Sequence, residues 1–265
     1  MGELGKRIAT GIPLVAAAGA ALWAGGIAFA GLAAVAVLLM WAEWAAMHRL
    51  PLIVRRIGLA VLALMLWITA VLQKPDEGLM LLGGAAGMMM ILAGKLARGA
   101  GRPAAIGLLY CGLPGIALIW LRGQGWGIWA TLLLMLVVWG ADIVAYFTGR
   151  AIGGPKLAPA ISPNKTWSGA IGGLLGAVAA SLLLMLWWPG YAGAAGALRL
   201  AMLAVPLAIL SILGDLYESW LKRRCGVKDS GTILPGHGGV MDRLDGLVPV
   251  AVAGAGIFAV TGWAG

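Results

Sequence analysis

Residues 219–245 read SWLKRRCGVKDSGTILPGHGGVMDRLD. They concentrate lysine, arginine, aspartate, glycine and one of the chain's two histidines, between apolar runs at 200–221 and 246–263. A polar island tied at both ends to hydrophobic segments of that length belongs at a membrane surface. A second island, DIVAYFTGRAIGGPKLAPAISPNKTWSG at 142–169, has the same character. We expect the two to meet in one anion- and metal-binding site, with the remaining segments holding it against lipid.

Composition supports the membrane setting. Of 265 residues, 62% are hydrophobic and only 11% charged, whereas soluble domains carry about a quarter charged residues. The formal charge of +9 comes from basic residues that form neither a run nor an amphipathic stripe. They read as topology signals, and no nucleic-acid partner is expected. Two cysteines, Cys111 and Cys225, imply no disulfide framework and are read as reduced thiols. Lys6-Arg7 and the apolar run after them mimic a signal peptide, but apolar sequence resumes at Ile27, which favours a first membrane helix.

Apolar runs at roughly 12–25, 27–47, 57–72, 79–94, 104–121, 126–149, 169–188, 200–221 and 246–263 predict nine membrane helices in an all-α polytopic protein. The first two touch at Gly25-Gly26 and read equally as one broken segment. With a cytoplasmic N-terminus and an outside C-terminus, sixteen of the nineteen lysines and arginines fall inside and only Lys74, Arg122 and Arg199 outside. Trp120, Trp126, Trp187, Trp188 and Trp263 then sit near the outer ends as an interfacial belt. The chain reads as one integral membrane domain, with helices at 1–125 and the site-bearing helices and loops at 126–265. Glycines at 169–176 and 81–87 permit close helix packing and a homodimer.

Four acids lie in or near these helices: Glu43, Asp142, Asp215 and Glu218. Ionised groups there are costly and usually face a polar cavity. Asp215 and Glu218 are three apart, with Ser211 and Ser219 on the same helical face. Asp242 and Asp245 repeat that spacing at the entrance to the last helix, and the last two helices are antiparallel, so the acid pairs are expected to approach. Crowded carboxylates need protons, cations or metal, and oxygen ligands without cysteine or histidine spacing favour magnesium. Ion pairing with Arg223, Arg243 and Lys228 is the structural alternative.

Anion-binding groups surround these acids. LPGHGGV supplies Gly236, Gly238 and Gly239 for close backbone approach to a phosphate, with His237 between them. Lys222, Arg223, Lys228, Arg243, Lys156 and Lys165 supply cations. In the first island, Gly149, Gly153 and Gly154 with Pro155, Pro159 and Pro163 predict an irregular loop. Ser162, Asn164, Lys165 and Thr166 follow, just before a helix, where Ser162 or Thr166 could equally be a cap. No P-loop signature occurs.

The spacing of Ser219, Lys222-Arg223, Lys228-Asp229, His237-Gly238-Gly239 and Asp242-Arg243-Leu244-Asp245 resembles the phosphatidate cytidylyltransferase (CDP-diacylglycerol synthase) family. LGDLYES at 213–219 and the first island are similar to other segments of that family. One departure is Ser168, where the family usually has glutamate. Either that carboxylate is dispensable or its task passes to another acid, such as Glu218.

The resemblance implies transfer of a cytidylyl group from CTP to phosphatidate, with CDP-diacylglycerol and pyrophosphate as products, in a bacterial inner membrane with the site facing the cytoplasm. It implies Mg2+, with room for a second cation, on Asp215 and Asp242, supported by Asp245 and Glu218. Phosphates would meet Lys222, Arg223, Lys228, Arg243 and the 236–239 glycines, while Lys165, Ser162 and Lys156 orient a substrate. A related CTP-dependent enzyme acting on an archaeal-type lipid or a polyprenol is the nearest rival. A secondary transporter of an anionic substrate fits less well, because the polar residues gather at one surface without an internal repeat.

Overall fold

The computed structural model describes residues 3–188, 193–234 and 238–261. Gly236, His237 and Trp263, all singled out from the sequence, lie outside the described residues. The helices are α1 (Glu3–Ala24), α2 (Gly26–Met47), α3 (Leu52–Ala70), α4 (Pro75–Leu96), α5 (Gly101–Arg122), α6 (Gly127–Ile152), α7 (Trp167–Met185), α8 (Ala194–Arg224), α9 (Met241–Leu244) and α10 (Leu247–Thr261). Among the described residues, seven of them, α2 to α8, are long and apolar enough to cross a membrane. The first and last expected spans retain apolar helix at Val15–Ala24 and Leu247–Thr261, shorter than the roughly 20 residues of a full crossing. The chain is a polytopic, predominantly helical membrane protein.

The chain packs as two units, residues 1–128 with 224–244, and residues 129–223 with 245–265. The loop after α8, read from the sequence as part of the second half, thus packs with the N-terminal helices.

In the first unit α2, α3, α4 and α5 pack on one another. Trp41 and Trp44 of α2 are fully buried. Their rings lie over Gly58 of α3 and Gly107 of α5, where any larger side chain would collide. Each indole N–H has a partner, Trp41 Nε1 donating to the Arg55 carbonyl (2.9 Å) and Trp44 Nε1 to the Pro103 carbonyl (2.8 Å). These anchors fix the C-terminal half of α2, which carries Glu43. The α1–α2 break at Gly25 (φ 63°) is as expected. Arg122 closes it, its Nε donating to the Leu22 carbonyl (2.7 Å).

In the second unit the expected irregular loop is a short antiparallel hairpin, β1 (Lys156–Ala158) and β2 (Ser162–Thr166), paired Lys156 to Thr166 and Ala158 to Ser162. The prolines permit this order. Pro159 takes the second position of a turn closed by Ile161 N–H to the Ala158 carbonyl (3.1 Å). Pro163 sits on an exposed strand where a missing N–H costs little. Gly153 and Gly154, at φ 66° and 100°, turn the chain out of α6. Gly149 is inside α6, against Thr166 and Gly169, and not in the loop.

The 169–176 glycines serve close packing, as their spacing predicts. Gly172 and Gly176 of α7 lie against Thr148, Val144 and the Gly140 backbone of α6. Gly83, Gly84 and Gly87 of α4 differ: a side chain there would meet open space. Trp188 is also reassigned, because it is buried and stacks on Trp129 at 6.4 Å, while Trp187 is exposed. Cys111 and Cys225 are free thiols.

Candidate active site

Within the second unit α8 presents Asp215, Glu218 and Ser219 on one face, as their spacing predicts, with Lys222 one turn after Glu218. Lys165, at the end of β2, forms an ion pair with Asp215, and both side chains are partly exposed. Ser219 Oγ donates to Asp215 Oδ1 at 3.3 Å. Glu218 is fully buried, with Lys222 Nζ 3.5 Å from its Oε1.

Asp245 comes from the turn between α9 and α10, where its Oδ1 accepts the Gly246 N–H (2.8 Å). Gly214 of α8 lies against the Asp245 carbonyl and Pro249, an approach open only to glycine. Asp245 thereby meets Asp215 and Glu218, and Asp142 of α6 faces Asp245, Asp215 and Lys165. Burial, and after it the neighbouring charge of Asp215, push the Asp245 carboxyl above the ordinary carboxylate range. The ends of the two sequence islands do converge here.

Thr166 proves to be the cap of α7, its Oγ1 accepting the Gly169 N–H at 3.1 Å. Ser168 Oγ donates to the Gly153 carbonyl and lies 3.0 Å from Thr166 Oγ1. Where the resembling family has a carboxylate, this chain has a hydroxyl that ties the start of α7 to the end of α6.

The first unit holds the loop after α8. Asp242 Oδ2 accepts the backbone N–H of Ser230 (3.0 Å), the Ser230 hydroxyl (2.9 Å) and the Gly239 N–H (2.8 Å). Asp242 and Asp245 do not share a helix face, because α9 ends at Leu244 and the chain turns before α10. Gly238, at φ 79°, adopts a backbone conformation that a side chain would strain, with Asp242 beside it. The Gly239 N–H is directed at Asp242.

Glu43 was legible only as an acid in a membrane helix. It is buried, and its Oε1 accepts the Val240 N–H (2.8 Å) while Oε2 accepts the Met241 N–H (2.8 Å) and the Ser230 hydroxyl (3.2 Å). The remaining expected residues are distributed as follows. Lys156 is exposed on β1, Ser162 is partly exposed on β2, Arg223 is exposed at the end of α8, Lys228 and Asp229 are exposed in the loop after it, and Arg243 is exposed on α9.

Among the described residues no group of three or more histidines, cysteines or acids is arranged to hold a metal ion.

A sequence profile described as "Cytidylyltransferase family" matches residues 5–260. A phosphatidate cytidylyltransferase of Brucella abortus is 44% identical over 256 residues, 95% of this chain and 92% of that protein. Enzymes of the same name from Pseudomonas aeruginosa (44% over 131 residues, 49% of this chain and 47% of that protein) and Mycobacterium bovis (38% over 145 residues, 55% and 45%) match shorter stretches. With its profile spanning nearly the whole length, the chain belongs to the cytidylyltransferase family.

Proposed function

We propose that this protein is a phosphatidate cytidylyltransferase: it transfers the cytidylyl group of CTP to phosphatidate, giving CDP-diacylglycerol and pyrophosphate. A phosphate oxygen of phosphatidate bonds to the α-phosphorus of CTP as the bond to the pyrophosphate oxygen breaks. The observation that carries this is the 44% identity to an enzyme of that name across 95% of the chain. The convergence of Asp142, Lys165, Asp215 and Asp245 in the second unit supports it.

The reaction brings two polyanions together, so its barrier is largely electrostatic. Mg2+ is the cation the carboxylates fit, and Asp215 and Asp242 are each proposed as magnesium-binding. When bound, the ion supplies charge neutralisation and alignment of phosphate oxygens. Asp242 would offer its carboxylate to the ion from the loop that holds it in place. Lys165 orients a phosphate and holds Asp215, and Lys222 balances Glu218. Arg223 at the end of α8, with Lys228 and Arg243 after it, all exposed, meet phosphates arriving from water. The substrate phosphate is itself the nucleophile, so no protein nucleophile is required.

The topology that fits is nine crossings in a bacterial cytoplasmic membrane, with the N-terminus and the site on the cytoplasmic side. The test is CDP-diacylglycerol formation by purified protein in detergent, from CTP and phosphatidate, with magnesium and then with EDTA. Magnesium-dependent product with pyrophosphate release is expected. Folded protein that makes no product from phosphatidate but cytidylylates or phosphorylates another lipid would overturn the assignment.

A further inference from the structure

We infer that Glu43 is a positioning residue for the reaction: from α2 it fixes Ser230 and the 239–241 backbone of the loop after α8 and, through them, Asp242. The inference rests on the cytidylyl-transfer reading and adds a residue far outside the sequence islands.

Three bonds tie this carboxylate to a loop 187 to 198 positions away in sequence. Both oxygens are used, Oε1 for the Val240 N–H and Oε2 for the Met241 N–H and the Ser230 hydroxyl. Ser230 also reaches Asp242 Oδ2, and its single hydroxyl proton is shared between the two acids. The loop is shaped around Glu43: a methyl group on Gly231 would come 2.7 Å from Glu43 Oε1, and one on Gly239 2.6 Å from it. Trp41 and Trp44 lock α2 on either side of Glu43, which is itself buried. One rigid helix therefore sets the backbone that sets Asp242.

A carboxylate is required because two N–H groups arrive at two different oxygens. Glutamine offers one acceptor oxygen and turns its own NH2 toward the other N–H, donor against donor. Glu43→Gln is thus a near-isosteric change that should loosen the loop while leaving the helices packed.

The experiment measures CTP and phosphatidate kinetics together with hydrogen exchange of the 230–242 segment in purified wild-type, Glu43→Gln and Glu43→Asp proteins. For Glu43→Gln, faster exchange in that segment and a KM for CTP raised about 10- to 100-fold are expected, the range for residues that orient a metal-binding group. The KM for phosphatidate should stay unchanged. Partial unfolding would instead lower kcat with both KM values fixed. Glu43→Asp keeps two acceptor oxygens on a shorter arm and should fall between, and it carries the same test if Glu43→Gln does not fold. Wild-type KM for CTP in the variant, with or without altered exchange, overturns the proposal. If the wild-type protein makes no CDP-diacylglycerol, the assigned reaction fails, and unaltered exchange in the variants would then overturn the hold of Glu43 on the loop separately.

Discussion

Lys165, at the end of a two-stranded hairpin, is ion-paired with Asp215 in the middle of the longest helix. The pair ties the end of the first polar island to α8 within one packing unit. It also gives Asp215 a countercharge when no cation is bound. We expect Asp215→Asn and Lys165→Met each to lower kcat/KM on the order of 100-fold, the size seen when a preorganised charge is removed from a reacting centre. Because the two groups act as a unit, the double variant should be little worse than the poorer single one. Steady-state rates per folded molecule check both statements, and near wild-type turnover in Asp215→Asn would remove Asp215 from the chemistry.

Asp245 makes the protein's stability depend on pH. Its carboxyl is raised by burial and by Asp215, so the fold favours its protonated form more than the unfolded chain does. That contribution is present in acid and is lost as pH rises through the raised value. Asp245→Asn should therefore melt higher than wild type at neutral pH in magnesium-free detergent. The gap should close on acidification, vanishing below about pH 4, the ordinary aspartate range. A gap independent of pH would exclude this origin.

The α6–α7 contact tolerates no added bulk where backbone faces backbone. A side chain at Gly176 would run into the Gly140 carbonyl and Val144. Gly176→Val is expected to cost at least about 1–3 kcal/mol, the usual range for overpacking. Gly84→Ala on α4, where nothing lies within 4 Å, should be neutral or slightly stabilising. Thermal unfolding of the two purified variants gives the comparison.

Ser168 acts through its donor. Ser168→Ala removes the bond to the Gly153 carbonyl and should lower stability by about 1 kcal/mol. Turnover per folded molecule should be unchanged, since the hydroxyl ties α7 to α6 and bears no charge. A loss of turnover without a loss of stability would instead give Ser168 a place in the reaction.

Much of the architecture was legible because the membrane imposes one rule on every segment, and apolar runs with intervening charge report it directly. The face shared by Asp215, Glu218 and Ser219 followed from helical spacing alone. The hairpin at 156–166 was hidden because prolines and glycines signal a break in helix but not what replaces it. That Asp242 and Asp245 share no continuous helix was hidden because a four-residue helix and a turn preserve the same spacing in sequence as one continuous helix. Glu43 could be noticed as a charge out of place, yet two of its three partners are backbone N–H groups that carry no side-chain signature, and the third is a single serine hydroxyl. The 81–87 glycines showed the converse limit, since a small residue permits close approach but does not name a neighbour.

The ties between Glu43 and the loop have a consequence for biosynthesis. The helix bearing this carboxylate leaves the ribosome and enters the bilayer long before the Val240 and Met241 donors exist, 197 and 198 residues later. At roughly 5–20 residues per second the wait lasts about 10–40 s. Throughout that interval the N-terminal helices must hold a buried acid without those partners, and the late loop then docks onto a receptor already built. The first unit is completed only near the end of translation, so a ribosome stalled in α8 would leave the N-terminal helices packed and their receptor empty.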